Sequence, residues 1–202
     1  MEKNKNLSLA FCQSYEINSN SEIVGDWLTW TDIFHEKNIF TGSFFMNGFE
    51  FIRNFMLYRN VIPNASAVLF RKKNYNEIGG AVKYLKAVGD WNVWVKLLSK
   101  GGVYFTHEKL NYFRRHPQSV IASLDKIKNN IDIRINTSAA FSGDLYIFFK
   151  ERGDVSLHQL YKKIYYLDSS KILTHEILRL NLLPLLKNWQ ILSLFKIDTY
   201  IY

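Results

Sequence analysis

The segment from Asp90 to Lys100 constrains the fold more than any other part of this sequence. Apolar residues recur there at the i, i+3, i+4 and i+7 spacing that lines one face of an α-helix: Trp91, Trp94, Val95 and Leu98. Aspartate is a favoured N-cap residue, so we expect Asp90 to cap the helix. The glycine pair at 101–102 is a typical helix end. The sequence therefore predicts a helix with one buried face.

Strand and helix signals alternate on both sides of that segment. A mixture of β-formers and small residues predicts a buried strand at Leu7–Tyr15, followed by a turn at Asn18–Ser21. Further predicted strands are Ser66–Arg71, Val103–Phe105 and Leu110–Arg114, and further predicted helices are Gly48–Leu57 and Lys72–Ile78, the latter ended by Gly79–Gly80. Residues 22–47 show no clear pattern and are predicted to be rich in loops. These signals predict an α/β fold for residues 1–120.

The pattern changes at Ser119. Three helical segments are predicted beyond it, Ile121–Glu151, Val155–Leu167 and Ser170–Phe195, with breaks at Gly153 and Pro184. We therefore predict a helical C-terminal extension over residues 121–202. The basic residues and Leu/Ile-rich faces of residues 170–202 have two interpretations. They contact an anionic membrane surface peripherally, or they pack against the rest of the protein or a second subunit.

Composition narrows the cellular setting and the chemistry. Cys12 is the single cysteine, which excludes an internal disulfide framework and a thiolate zinc cluster and indicates a reducing, cytoplasmic compartment. No stretch is apolar and long enough for an N-terminal signal peptide or a membrane span. The net charge of +8 is concentrated in residues 51–116, which contain 12 basic and 3 acidic residues. This stretch either binds an anionic ligand, such as a phosphate, a nucleotide sugar or an anionic lipid, or is a solvated surface.

Four ordered segments carry a resemblance to a known family. They are NVIPNASAVLFRK (60–72), IGG (78–80), VGDWNVWVKLLSKGG (88–102) and LNYFRRHPQSV (110–120), and a weaker fifth is LSLAFCQSYEIN (7–18). In order and spacing they resemble the C-terminal half of the catalytic domain of family 2 glycosyltransferases. The resemblance implies part of a GT-A-like mixed sheet with flanking helices. It also implies transfer of a sugar from a nucleotide-sugar donor to a glycan or lipid-linked acceptor, as in surface polysaccharide synthesis.

The nucleotide-binding half of that family has no counterpart in this sequence. In the family, that half ends in an Asp-rich motif that holds a divalent metal, Mg²⁺ or Mn²⁺, and the donor diphosphate. No D-x-D occurs in the 202 residues. We therefore expect a truncated gene, a longer product that was cut, or another chain that supplies the missing half.

The resemblance assigns the central chemistry to the start of the predicted helix. Asp90 matches the acidic residue that removes the proton from the acceptor hydroxyl, which needs a carboxylate within ~3 Å of that hydroxyl. Trp91 matches a position near the acceptor, where an aromatic face stacks on a sugar ring. The simpler interpretations are that Asp90 only caps the helix and that Trp91, like Trp94, belongs to the core.

Five further residues are candidates on the same resemblance. Arg114 and Arg115 end a predicted strand, and guanidinium groups bind diphosphate oxygens through paired hydrogen bonds. The next residue, His116, has the chemistry of a metal ligand, although a lone histidine usually is not one. Asn64 and Ser66 match the floor of the site near the donor sugar, and turn chemistry is their alternative interpretation.

Two other functions compete with sugar transfer. A non-catalytic remnant that binds a glycan or a partner chain would also lack the Asp-rich half. A nucleic-acid module would use the aromatic and basic residues that interleave between 100 and 116, but no nucleic-acid motif is present, and we expect no nucleic-acid partner.

Overall fold

A computed structural model describes residues 1–32, 38–57, 59–62, 64–85, 88–115 and 131–179. The chain divides into two compact units, Met1–Asn129 and Asn130–Tyr202. Among the described helices, none combines the length and the apolar character needed to cross a membrane.

The first unit is built on a five-stranded mixed sheet. Its strands are β1 (Leu7–Ile17), β2 (Ile23–Asp26), β3 (Phe44–Met46), β4 (Val68–Phe70) and β5 (Gly102–Arg114). The order is β2-β1-β5-β3, and β4 pairs with the first part of β1. The central strands β1 and β5 run parallel, whereas β2, β3 and β4 pair antiparallel at the edges. The α/β class predicted from the sequence is confirmed.

Short helices connect these strands. They are α1 (Leu28–Asp32), α2 (Gly48–Phe51), α3 (Lys72–Glu77) and α4 (Gly89–Leu98), with 3-10 turns at Ile39–Thr41 and Ala65–Ala67. Helix α2 continues directly into a π-helical turn, Ile52–Met56. The predicted helix at 48–57 is therefore present but changes its hydrogen-bonding pattern halfway. Gly79 and Gly80 both have positive φ after α3, as expected for glycines that end a helix.

One face of the sheet carries the core, and the other carries an exposed apolar row. Phe11 and Phe105 are paired across β1 and β5, their ring centroids lie 4.8 Å apart, and both are buried. The neighbouring row on the opposite face runs across four strands through Leu69, Ala10, Tyr104 and Phe45. Leu69, Tyr104 and Phe45 are 70%, 40% and 54% exposed, so this face of the sheet is open.

Strand β5 corrects the prediction of two separate strands at 103–105 and 110–114. Cys12 is paired with Thr106, but the next residue of β1, Gln13, is paired with Lys109. Two extra residues of β5 are therefore accommodated as a bulge, and the strand continues through it. The polar pair His107–Glu108, which lies between the two predicted strands, forms this bulge. The region 22–47, predicted to be loop-rich, contains β2, α1 and β3.

Helix α4 differs from the prediction in its start and in its burial. It begins at Gly89 with Val88 at the N-cap, so Asp90 lies in the first turn and is not the cap. Trp94 and Leu98 are buried as predicted, but the polar residues Asn92 and Lys96 are buried as well. Helix α4 is therefore enclosed on most sides. The apolar stripe in the sequence predicted fewer buried residues than the structure contains.

The second unit contains two long helices, α5 (Ile131–Glu151) and α6 (Val155–Arg179). Gly153 lies between them with φ 68°, which confirms the predicted break there. Helix α6 also runs without interruption through residues 168–169, which the prediction left between two separate helical segments. The predictions for residues 116–130 and for Pro184 lie outside the described residues.

A buried carboxylate joins the two long helices. Asp168 of α6 is only 4% exposed, and its Oδ2 accepts hydrogen bonds from Ser138 Oγ (2.8 Å) and Ser142 Oγ (3.0 Å) of α5. Lys171 Nζ lies 3.1 Å from Oδ1. Because polar groups are costly to bury without partners, this cluster fixes how the two helices align along their length.

We expect Asp168→Ala to lower the free energy of unfolding of the protein by about 2 kcal/mol, because two hydroxyls lose a charged acceptor. Urea unfolding would measure the loss. Asp168→Asn keeps an acceptor oxygen and should lose less, and Ser170→Ala, an exposed change on the same helix, should lose almost nothing. Equal stabilities for Asp168→Ala and Ser170→Ala would contradict this role.

Candidate functional site

Asp90 is exposed to solvent, and the pKa of its carboxyl group is raised. Its Oδ1 accepts a hydrogen bond from the backbone N–H of Trp91 at 2.7 Å, and the residue is exposed. Desolvation by the surrounding protein nevertheless raises the pKa of the Asp90 carboxyl, and the backbone N–H groups of Trp91 and Asp90 oppose that rise. Nearby protein atoms therefore displace part of the water around the carboxylate, although the residue stays accessible to solvent. A raised pKa makes the carboxylate a better base.

Trp91 is tied to a neighbouring element by its indole N–H. Nε1 donates to the carbonyl oxygen of Met56, the last residue of the π turn, at 2.9 Å. Trp91 is half-buried, whereas Trp94 of the same helix is 3% exposed. Trp94 is therefore a core residue, as the simpler interpretation predicted, and Trp91 is an oriented ring at the edge of the core.

Local sequence explains why α2 and the π turn can reach α4. Asn47 caps α2 by accepting hydrogen bonds from Phe49 N–H (2.9 Å) and Glu50 N–H (3.4 Å). Gly48, the first residue of α2, lies directly against the carbonyl oxygens of Leu98 and Gly101 at the end of α4, where a Cβ would overlap them. The α2–π segment therefore touches α4 at both of its ends.

Asn64 and Ser66 belong to a hydrogen-bonded cluster that also contains two residues missed by the sequence. Ser66 Oγ donates to Asn64 Oδ1 at 2.6 Å, and the same oxygen accepts from Ala67 N–H at 3.1 Å. Asn64 Nδ2 and Asn111 Nδ2 both donate to Ser14 Oγ, at 3.1 and 3.0 Å. Asn64 is thus a cap of the 3-10 turn and a link between β1 and β5.

The two arginines at the end of β5 bind the chain itself. The guanidinium of Arg114 donates from Nη1 to the carbonyl oxygens of Asn18 (2.9 Å) and Ser19 (3.1 Å). Arg115 Nε lies 2.8 Å from Glu16 Oε1, and its guanidinium lies 5.6 Å from the Trp27 ring centre. The contacts of Arg114 hold the turn after β1, whereas Arg115 binds β1 itself. The predicted contact with a donor diphosphate remains a prediction, and His116 lies outside the described residues.

Arg59, which follows the π turn, is a cation that the sequence patterns did not mark as a candidate site residue. Its guanidinium stacks over the Trp30 ring at 3.9 Å, and the Trp30 indole N–H donates to the carbonyl oxygen of Asn60 at 3.0 Å. Desolvation lowers the pKa of Arg59. Arg59 follows the π turn by three residues, and a stacking partner 29 positions earlier gives no local signal in the sequence.

The predicted site residues therefore fall into three hydrogen-bonded groups. The first joins Asp90, Trp91 and Met56, and the second joins Asn64 and Ser66 to β1 and β5. The third ties Arg114 to the turn after β1 and Arg115 to Glu16 of β1. The second and third groups share strand β5, where Asn111 precedes Arg114 by three residues, or about 10 Å along a strand.

In the described part of the chain, no three or more His, Cys, Asp or Glu side chains are grouped to hold one metal ion. Cys12 Sγ contacts the Ala67 carbonyl oxygen at 3.7 Å, and burial raises the pKa of its thiol. A raised pKa favours the unreactive protonated form of the thiol.

Comparison with known proteins leaves the family open. A scan against protein-family models finds no match to this chain, and a search of curated proteins finds no similar sequence. The function must therefore be argued from the residues of the site.

Proposed function

We propose that this chain is the acceptor-side part of a GT-A-type glycosyltransferase. It would transfer a sugar from a nucleotide-sugar donor to a glycan or lipid-linked acceptor, in the synthesis of surface polysaccharide. The observation that carries the proposal is the Asp90 carboxylate, which is open to solvent at the start of α4 and has a raised pKa. A general base needs both accessibility and basicity.

In the proposed reaction, Asp90 takes the proton of an acceptor hydroxyl. The hydroxyl oxygen attacks the anomeric carbon of the donor sugar and forms the new glycosidic bond. The bond from that carbon to the donor diphosphate breaks, and its electron pair leaves with the nucleoside diphosphate. Trp91 would offer its ring to the acceptor sugar, while Asn64 and Ser66 would support the floor of the site.

The two arginines contribute unequally in this proposal. Arg114 uses Nη1 and Nη2 on the turn at residues 18–21, which supports a structural role. Arg115 uses Nε for Glu16 and has a side chain that is 54% exposed. We therefore assign a donor phosphate contact to Arg115 before Arg114.

The donor diphosphate and its Mg²⁺ or Mn²⁺ would be held mainly by residues outside this sequence, which contains no D-x-D. When bound, such a metal neutralises the charge that develops on the leaving diphosphate. The residues described above supply the base and the acceptor surface.

Sugar transfer can be tested on the native polypeptide or complex that contains residues 1–202. Incubation with a panel of labelled nucleotide sugars and Mn²⁺ should move label into a glycan or lipid fraction, and EDTA should abolish the transfer. Calorimetric titration with a nucleoside diphosphate should show binding that depends on Mn²⁺. Absence of both transfer and metal-dependent nucleotide binding would contradict the proposal.

One observation favours a second candidate, a non-catalytic glycan- or partner-binding protein. Both arginines at the end of β5 are engaged with the chain itself, at distances of 2.8 to 3.1 Å. In that case glycan binding would persist in the titration while nucleotide binding and transfer would be absent.

A further inference from the structure

The start of α4 is held in place from outside the helix. At its C-terminal end, α4 meets Gly48, and at its N-terminal end the Trp91 indole donates to Met56 O at 2.9 Å. The α2–π segment between Gly48 and Met56 therefore spans the length of α4 and contacts it at both ends. Phe51, Ile52 and Met56 are fully buried, so this segment cannot shift without disturbing the core.

The π turn determines where the Met56 carbonyl points. A π turn accommodates an extra residue within a helix, and one residue corresponds to about 100° of rotation about an α-helix axis. With regular α geometry, Met56 O would face another direction. Carbonyl groups at a helix end have no partner within the helix, so Met56 O can accept the indole N–H.

We propose that the π turn and Trp91 form a positioning device for Asp90. Trp91 fixes the first turn of α4 through its side chain, and its backbone N–H holds Asp90 Oδ1 at 2.7 Å. One residue thus links the rigid α2–π segment to the carboxylate. This inference rests on the proposed function for its kinetic consequence, whereas its structural part can be measured independently.

The N-terminus of α4 lacks the side-chain cap that usually stabilises the start of a helix. Its N-cap, Val88, provides no side-chain hydrogen bond, so the usual cap of a helix start is missing. A helix start without a capping side chain frays more readily, and fraying would move Asp90. The indole–carbonyl bond compensates by anchoring the residue next to the carboxylate.

Two tryptophan variants in the native protein test the inference. Trp91→Phe keeps an aromatic face for the acceptor but removes the indole N–H, so we expect KM to stay within about 2-fold and kcat to fall by about 10- to 100-fold, since misplacement by about 1 Å can cost 10²-fold. Trp94→Phe is the matched control, because the buried Trp94 Nε1 has no hydrogen-bond partner among the described residues. We expect its kcat to remain at the wild-type level.

A measurement without catalysis accompanies the kinetics. In the ¹⁵N-labelled wild-type chain, the Trp91 indole proton should exchange with solvent at least 10-fold more slowly than a free indole. Fast exchange would overturn the inference, as would an unchanged kcat for Trp91→Phe in a protein that Asp90→Asn inactivates. If Asp90→Asn leaves transfer intact, the role of Asp90 as the base fails instead, and slow exchange would still support the structural link.

Discussion

Asp90→Asn is expected to lower kcat for sugar transfer by about 10² to 10⁴-fold, the usual contribution of a general base. Asparagine is nearly identical in size, and its Oδ1 can still accept the hydrogen bond from Trp91 N–H. It cannot take a proton from the acceptor hydroxyl. Assay of the native protein with saturating donor and acceptor would measure the effect, and KM for the acceptor should change little.

The same substitution should not destabilise the fold. The pKa of Asp90 is raised in the folded protein, so the folded state binds the proton more tightly than the unfolded chain does. Stability is therefore lost as pH rises from the ordinary Asp pKa of about 3.9 through the folded pKa. Asp90→Asn removes this loss, so its Tm should equal or exceed that of the wild type at pH 7. The difference should disappear below the ordinary pKa.

Asp154 provides a matched control for both measurements. Its Oδ1 accepts a hydrogen bond from Leu157 N–H at 3.1 Å, so it caps a helix as Asp90 was first predicted to do. Asparagine caps about as well as aspartate, so Asp154→Asn should change neither kcat nor Tm appreciably. Near-normal turnover in Asp90→Asn would remove Asp90 from the mechanism.

Gly48→Ala is expected to be the most destabilising single substitution considered, with a loss of about 3 kcal/mol in the free energy of unfolding. The added Cβ would overlap the carbonyl oxygens of Leu98 and Gly101. Both obstacles are backbone atoms, so relief requires α2 and α4 to move apart. Chemical denaturation of the whole protein would measure the loss.

Gly25→Ala is the corresponding control. Gly25 lies in the edge strand β2, and a Cβ built there meets no atom within 4 Å. Its unfolding midpoint should remain near that of the wild type. Comparable midpoints for Gly48→Ala and wild type would show that α2 does not approach α4 as closely as described.

Local patterns in the sequence predicted the elements whose cause is local. Strand β1 follows from a run of β-formers, and the ends of α3 and α5 follow from glycines with positive φ. The predicted start of α4 was wrong because Asp90, a residue type that favours the cap, is the second residue of the helix. From the sequence alone, an aspartate at the N-cap cannot be distinguished from an aspartate in the first turn of the helix.

The features that the sequence did not predict depend on contacts between residues that are far apart in the chain. The bulge in β5 exists only because β5 pairs with β1, and the same pairing brings Asn111 to Ser14, 97 positions away. Asn92 and Lys96 are polar, so periodicity alone placed them outside the core. The raised pKa of Asp90 likewise depends on how neighbouring elements surround it, which no short segment encodes.

The parallel pairing of β1 and β5 also has a consequence for biosynthesis. Ser8 on β1 bonds to Gly102 on β5, a separation of 94 residues, so the sheet cannot close until most of the unit has left the ribosome. Closing so long a loop is slow, and until then the edge of β1 that pairs with β5 stays open. Chaperone capture of the nascent chain should therefore be strongest before residue 114 emerges.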